Sequence, residues 1–322
     1  MGMSGGSTQV RGKLGPILSG IGGFLLVIGI LLNVYAYPKL ATAPMDQDSI
    51  SKLFGPDATV FDTDPSSLKE IQTDLTTTAQ TLGDVEAAEE AGDNIRVWVN
   101  STSTKSADGV VRSRSVERVA FDGFTGEAVN CCNAFSETTQ GQPESVTFEG
   151  QVFKFPFQTE KKTYKWWDGT LKRAIDAKYE REETLEGLNT YVFVQTIEPE
   201  VWTQQEVPAD VVGESGDGAV TADRTYGNVR TFWVEPETGV VIKRVEQQWA
   251  ALQIDGEDRT TLTDVETAFT DETVQANIDD YGPKSSQLKL IRSTLPLVLG
   301  IGGLVLLIVG FLLHRRSQSA RA

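Results

Sequence analysis

Two stretches of the chain hold apolar residues without a charge, and what lies between them alternates apolar and polar. The first, residues 14–37, runs twenty-four positions between Arg11 and Lys13 on one side and Pro38-Lys39 on the other. As a helix rising about 1.5 Å per residue it extends roughly 36 Å, enough to cross a hydrocarbon core of about 30 Å. The second, residues 294–313, gives about 30 Å of helix and stops at His314-Arg315-Arg316. The pattern therefore predicts two transmembrane helices. Ala41-Thr42-Ala43 has the small-x-small form of a cleavage site. The apolar run nevertheless exceeds the about 7–15 residues of a signal peptide, and Pro44 follows at once, so the reading is a retained anchor.

Both spans repeat one local text, Gly20-Ile21-Gly22-Gly23 followed by Gly29, and Gly300-Ile301-Gly302-Gly303 followed by Gly310. In lipid no hydrophobic effect drives helices together, so small residues that let backbones approach become the means of pairing. An antiparallel helix pair is expected, with Gly22, Gly29, Gly303 and Gly310 in its interface.

Between the spans the signal is strand alternation broken by turn residues. Strands are expected at 59–62, 71–82, 174–181, 191–197, 229–234, 240–249 and 260–265, with a hairpin at Asp255-Gly256 and a short helix over 271–281. Ile95-Arg96-Val97-Trp98-Val99 should bury Ile95, Val97 and Val99 on one face and turn Trp98 to the other. Residues 211–222, rich in Gly and acid, read as a mobile loop. One phrase occurs twice: Asp122-x-x-Thr125-Gly126 and Glu235-x-x-Thr238-Gly239 each link two strands. An acidic side chain can bond turn amides and Gly supplies positive φ, so turn chemistry alone suffices to produce the echo; two related halves of the domain are the alternative. Between the two phrases Phe148, Phe153, Phe155, Phe157, Tyr164, Trp166 and Trp167 put seven aromatics into twenty residues. Pro156 keeps that segment at a sheet edge or in an extended loop. The expected fold is a mainly β domain, an antiparallel sandwich or barrel-like sheet, between two transmembrane helices.

Charge adds an organisation that the net value of −16 hides. All 45 acidic residues lie between Asp46 and Asp280, against 20 of the 29 basic ones, so this region carries a formal −25 while both ends of the chain are basic. Such a domain repels nucleic acid and anionic headgroups, and divalent cations or basic partners suit it better. Basic residues flanking the spans are nearly balanced across the two sides, so the positive-inside count says little. The acidic, Thr-rich and β-patterned composition points outside the cytoplasm. The expected layout is a cytoplasmic tail over 1–13, a span over 14–37, an extracytoplasmic β-rich domain over 38–293, a span over 294–313 and a cytoplasmic tail over 314–322, in the plasma membrane.

Candidate chemistry is sparse. The cysteines, Cys131 and Cys132, are adjacent. Neighbouring Cα atoms lie about 3.8 Å apart, below the usual disulfide range, and a vicinal bond, pairing between chains and free thiols all stay open. No spacing for zinc, no P-loop, no nucleophile elbow and no dinucleotide turn occurs, and the single histidine, His314, borders a span. No enzyme, cofactor or metal is expected.

The two-span layout, the Asp122-x-x-Thr125-Gly126 hairpin, Phe155-Pro156-Phe157 with Tyr164 and Trp167-Asp168, Gly187-Leu188-x-x-Tyr191-x-Phe193, and Glu235-Pro236-x-Thr238-Gly239 together resemble the actinobacterial PorA-like family. The resemblance covers nearly the whole chain, with Gly123 standing where the family carries Arg. It implies a channel-forming protein of a mycolate-containing cell envelope. A membrane β-barrel needs strands of about ten residues with a continuous lipid-facing side, whereas these strands are short and rich in Glu, Lys and Thr. The residues themselves favour a non-catalytic envelope protein that binds or passes on an apolar lipid component through Phe153, Phe155, Phe157, Trp166 and Trp167, or that scaffolds a complex. Channel formation is the alternative. Expected partners are membrane lipids and further copies of the chain or another envelope protein.

Overall fold

The computed structural model describes residues 7–92, 94–216 and 218–319; of the two expected tails, residues 1–6 and 320–322 lie outside it. The chain forms two compact units, one from the two ends of the chain and the other spanning Ala43–Gly282.

In the terminal unit, α1 (Ser7–Leu31) continues through a π-helical turn, Leu32–Ala36, into α2 (Tyr37–Leu40). At the far end α4 (Asp271–Lys289) continues through a second π turn, Leu290–Thr294, into α5 (Leu295–Ser319). The helical runs Leu14–Leu40 and Asp271–Gln318 are both long and apolar enough to cross a membrane. Helices α1 and α5 pack antiparallel along glycines. A Cβ on Gly22 would lie 2.6 Å from the Gly303 carbonyl oxygen, one on Gly303 2.7 Å from that of Gly22, and one on Gly310 2.7 Å from that of Gly15. Gly29 is looser, 3.3 Å from the Pro296 oxygen. The two π turns meet where Asn33 Nδ2 donates to the Arg292 carbonyl at 2.9 Å. A π turn leaves backbone groups without their helical partners, and this side chain supplies one. Away from the seam the apolar side chains face outward, Phe24 at 63% and Leu297 at 63% exposed.

The other unit is mainly β. Its strands are β1 (Asp48–Asp62), β2 (Lys69–Gly83), β3 (Ile95–Ser106), β4 (Val111–Asp122), β5 (Ala128–Val129), β6 (Phe135–Glu137), β7 (Glu144–Ser145), β8 (Tyr164–Asp168), β9 (Arg173–Leu185), β10 (Leu188–Pro208), β11 (Ala219–Val234), β12 (Val241–Ile254) and β13 (Glu257–Phe269), with α3 (Val85–Ala91) between β2 and β3. They make one antiparallel sheet of thirteen strands, in the order β7-β6-β4-β3-β2-β1-β13-β12-β11-β10-β9-β8, with β5 beside β4. The sheet path is open, yet its far parts meet. Gln151 bridges Glu127 on one side and Trp166 of β8 on the other, with its N–H 2.7 Å from the Lys165 oxygen and its carbonyl 2.8 Å from the Trp167 N–H. The expected strands exist but are longer, because alternation in Thr-rich runs is weak where both faces are partly polar. Residues 211–222, expected as a loop, open on the end of a short 3₁₀ turn, Ala209–Val212, and close on the start of β11 at Ala219, with the described residues between them outside any helix or strand. Val211, Val212 and Val220 pack there with Val207, Ala222 and Leu252.

The repeated phrase builds two turns with matching bonds. Asp122 Oδ1 accepts from the N–H groups of Phe124 (3.0 Å) and Thr125 (2.7 Å), and the Glu235 carboxylate accepts from Glu237 (3.0 Å) and Thr238 (2.8 Å). The match extends into the strands. Trp98 pairs with Val119 and Asn100 with Glu117; at the corresponding places Phe193 pairs with Phe232 and Gln195 with Arg230. Asn94-x-x-Val97-Trp98-Val99-Asn100 and Asn189-x-x-Val192-Phe193-Val194-Gln195 are the sequence counterparts. The likeness thus reaches beyond the turns, further than turn chemistry requires. Trp98 is buried along with Val97, so both faces of β3 are covered at this level: Val97 packs with Ala88 of α3, and Trp98 with Phe121 and Phe153.

Candidate functional site

The segment between the two turns is held by both of them. Phe157 N–H donates to the Phe124 carbonyl (3.0 Å) and Gln151 Nε2 to that of Thr125 (2.8 Å). Phe155 N–H donates to the Gly239 carbonyl (2.8 Å) and Thr159 N–H to that of Pro236 (2.8 Å). Lys154 lies at the middle of this clasp. Its Nζ donates to the Phe155 carbonyl at 2.6 Å and sits 4.0 Å over the Phe157 ring. Burial drives its amine down to about 7, against a small opposing pull from Asp122.

The five aromatic residues singled out for an apolar ligand fall into separate packing groups. Phe155 and Trp166 join Tyr164, Phe193 and Phe232 in one cluster, with Phe155 stacked 4.6 Å from Phe193. Trp167 packs on Phe148 and Val119. Phe153 meets Trp98 and Phe121, and Phe157 stacks on Phe124 at 5.9 Å. Phe155, Phe157, Trp166 and Trp167 are buried and Phe153 is half-buried. Each ring has other protein side chains as its neighbours.

One layer along the strands from these rings lies a buried ionic belt. Arg230 Nη1 is 2.7 Å from Asp168 Oδ2 and 2.9 Å from Gln195 Oε1; its Nε is 3.1 Å from Glu246 Oε2 and its Nη2 3.0 Å from the Tyr226 hydroxyl. Asp168 and Asn228 are fully covered. Asp168 also caps its own turn through the N–H groups of Thr170 and Leu171. Burial alone would raise the Glu246 carboxyl, but Arg244 and Arg230, helped by the Asn228 amide, bring it down to about 2. Tyr226 is pushed up to about 12, chiefly by burial. Glu117 reaches this belt from the far part of the sheet, its Oε1 3.2 Å from the Trp167 indole N–H. Nine strand steps separate β4 from β8, so this contact requires the sheet to curl until its two parts face each other. The face that carries Glu117 is therefore the inner one.

Register pairing defines what else lines that face. Ser49, Ser51, Thr77, Ala79, Thr81, Asn100, Thr102, Thr104 and Ser115 share it across β1 to β4. All are half-buried. Their side chains bond laterally, Thr77 to Thr104 at 2.8 Å and Asn100 to Thr81 at 2.8 Å. Hydroxyl and amide groups predominate on this inner surface, with the buried Leu53 opposite Thr77 and Trp98 beside Asn100 among them, and such groups accept water more readily than they accept an alkyl chain. In the sequence this face leaves only an unbroken polar run, Asn100-Ser101-Thr102-Ser103-Thr104, which does not distinguish one side of the strand from the other. Cys131 and Cys132 are joined to each other beside Ala88, Val97 and Ala120, on the opposite face. Among the described residues no group of His, Cys, Asp and Glu has the arrangement of a metal site.

Fold and site define a class: an acidic, curled antiparallel sheet with a polar inner face, whose chain begins and ends in apolar helices. The chain belongs to the Porin PorA family, whose model matches residues 14–312, the whole sheet and most of both α1 and α5 included. It is similar to Porin PorA of Corynebacterium amycolatum, 26% identical across 96% of this chain and the full length of that relative. It is also similar to Porin PorA of Corynebacterium resistens, 24% identical across 54% of this chain and 58% of that one. Family and apolar helices together mark a membrane protein of the cell envelope.

Proposed function

We propose that this chain is a non-catalytic, channel-forming protein of the cell envelope; its relatives carry the name porin. The helix pair anchors it in a membrane, and the polar inner face of the curled sheet carries water and small hydrophilic solutes. The observation that supports this reading over lipid handling is the lining: hydroxyls and amides from Ser49 to Ser115, ending at an ionic belt. An apolar tunnel would need alkyl and aromatic side chains turned inward and unoccupied, and the aromatic segment is engaged in packing.

The helices bear on stoichiometry. Asn33 and Ser19 are the polar side chains of residues 14–37 apart from tyrosine, so one helix pair cannot line a water path, and several copies would assemble to enclose one. In this reading the membrane is the plasma membrane, the sheet unit lies outside the cytoplasm, and the outer ends of both helices lie on the cytoplasmic side.

Planar-bilayer recording of the purified full-length protein tests this directly. Discrete conductance steps that Gly22→Leu removes are expected. Electrically silent bilayers, with a stoichiometric lipid carried by the sheet unit through purification, would replace the channel with lipid handling.

A further inference from the structure

We propose that Glu117 is a proton-operated latch between the two parts of the curled sheet. The inference stands on the geometry of the seam and holds whether or not the chain conducts.

Glu117 projects from β4 onto β8, where a single neutral donor, the Trp167 indole N–H, meets it at 3.2 Å. The adjoining cation is already committed. Arg230 directs Nε to Glu246, Nη1 to Asp168 and Gln195, and Nη2 to Tyr226. On its own side of the seam Asn100 stands opposite Glu117 on β3 and Ser136 on β6, both uncharged; Glu144 of β7, beyond Ser136, is already paired with Lys172, and Asp168 faces Glu117 as a like charge. Three carboxylates, Glu117, Asp168 and Glu246, thus share the positive charge of Arg230 and Arg244, and one proton balances the set. Burial raises the Glu117 carboxyl above its ordinary range; the Trp167 bond opposes this, Asp168 adds to it and Arg230 opposes it. Glu246 is held low by its arginines whereas Glu117 is raised by burial, so of these two it is Glu117 that takes up a proton first.

Strand pairing at the seam is thin where Glu117 acts. Among the described residues Gln151 carries the strand pairing between the β4–β5 side and β8, while Val119, Phe148 and Trp167 pack across the seam and Lys172 pairs with Glu144 of β7. With Glu117 protonated the belt is neutral and the seam closes. When the proton leaves, an uncompensated carboxylate stands beside Asp168 in a poorly solvated layer, and parting β4 from β8 lets water reach it. Higher pH therefore opens the seam and lower pH shuts it.

Hydrogen exchange of the full-length protein in detergent, read by mass spectrometry over residues 150–168 and corrected for intrinsic rates, tests the latch. Wild type should lose protection at least tenfold as pH rises through one titration above the ordinary carboxylate range, while Glu117→Gln keeps its protection throughout. Equal protection in both proteins at every pH overturns the proposal, as does a Glu117→Gln protein that is open at low pH. Should that variant not fold, the Trp167 indole N–H resonance of wild type, assigned with Trp167→Phe, decides the matter. A one-proton shift in step with the exchange supports the latch, and a flat resonance overturns it.

Discussion

Gly126 and Gly239 grip one chain segment from two turns with the same backbone angle, φ +73° in each. A Cβ on Gly126 would lie 2.7 Å from the Lys154 carbonyl oxygen, and one on Gly239 would collide with the carbonyls of Phe155 and Pro156. Positive φ and a backbone wall act together at these positions. Gly239→Ala is expected to cost about 3 kcal/mol or more, or to prevent folding. Gly256→Ala, at φ +79° with nothing near its Cβ, should cost only about 1 kcal/mol. Denaturant unfolding followed by circular dichroism ranks the two.

Lys154 gives a pH dependence of known sign. Its ordinary value is 10.5 and its folded value about 7, so between those limits the unfolded chain binds a proton that the folded chain lacks. Stability contributed by the neutral amine is therefore lost as pH falls from about 10 to about 7, and stays level below. Lys154→Met should stabilise the protein by a few kcal/mol at pH 7: each tenfold loss of proton affinity is worth about 1.4 kcal/mol, and the lost hydrogen bond takes back about 1 kcal/mol. The gain should shrink toward pH 10. Thermal unfolding at several pH values measures it, and a gain independent of pH would contradict this.

Removing Arg230 from the ionic belt leaves a buried carboxylate, Asp168, without its cation. Arg230→Met strands the buried Asp168, leaves Glu246 to Arg244, and is expected to cost about 3–5 kcal/mol. Lys161→Met breaks an exposed pair with Glu182 and should cost under about 1 kcal/mol. The ratio between these two variants, measured in denaturant, checks that the belt is closed to water.

The helix pair separates two kinds of glycine. Gly303→Leu should drive α1 and α5 apart, because its Cβ would meet the Gly22 oxygen and Leu26, whereas Gly300→Leu meets open space. Fluorescence transfer between probes on α1 and α5 should fall for Gly303→Leu and hold for Gly300→Leu.

Periodicity alone made the apolar helices and the mainly β class legible, because uncharged runs and alternation are direct marks of each. The two Asp/Glu-x-x-Thr-Gly turns were legible as turns. Their common clasp on the segment from Lys154 to Thr159 was not, since it joins residues far apart in the chain, Phe155 to Gly239 among them. The ionic belt left no local trace either. Glu117, Asp168, Arg230 and Glu246 come from four strands, and nothing near any of them marks it as buried. Nor did the aromatic segment tell a groove from a core, because Phe155 and Trp166 read alike in both.

The central claim is that the hydroxyl-lined inner face is a water path, and Thr102 lies within it. Thr102→Cys in the full-length protein, exposed to a charged methanethiosulfonate reagent during single-channel recording, tests this most directly. The account predicts a stepwise change in conductance on modification, absent for Ser101→Cys on the opposite face. Steady conductance through a fully modified Thr102→Cys protein would contradict it.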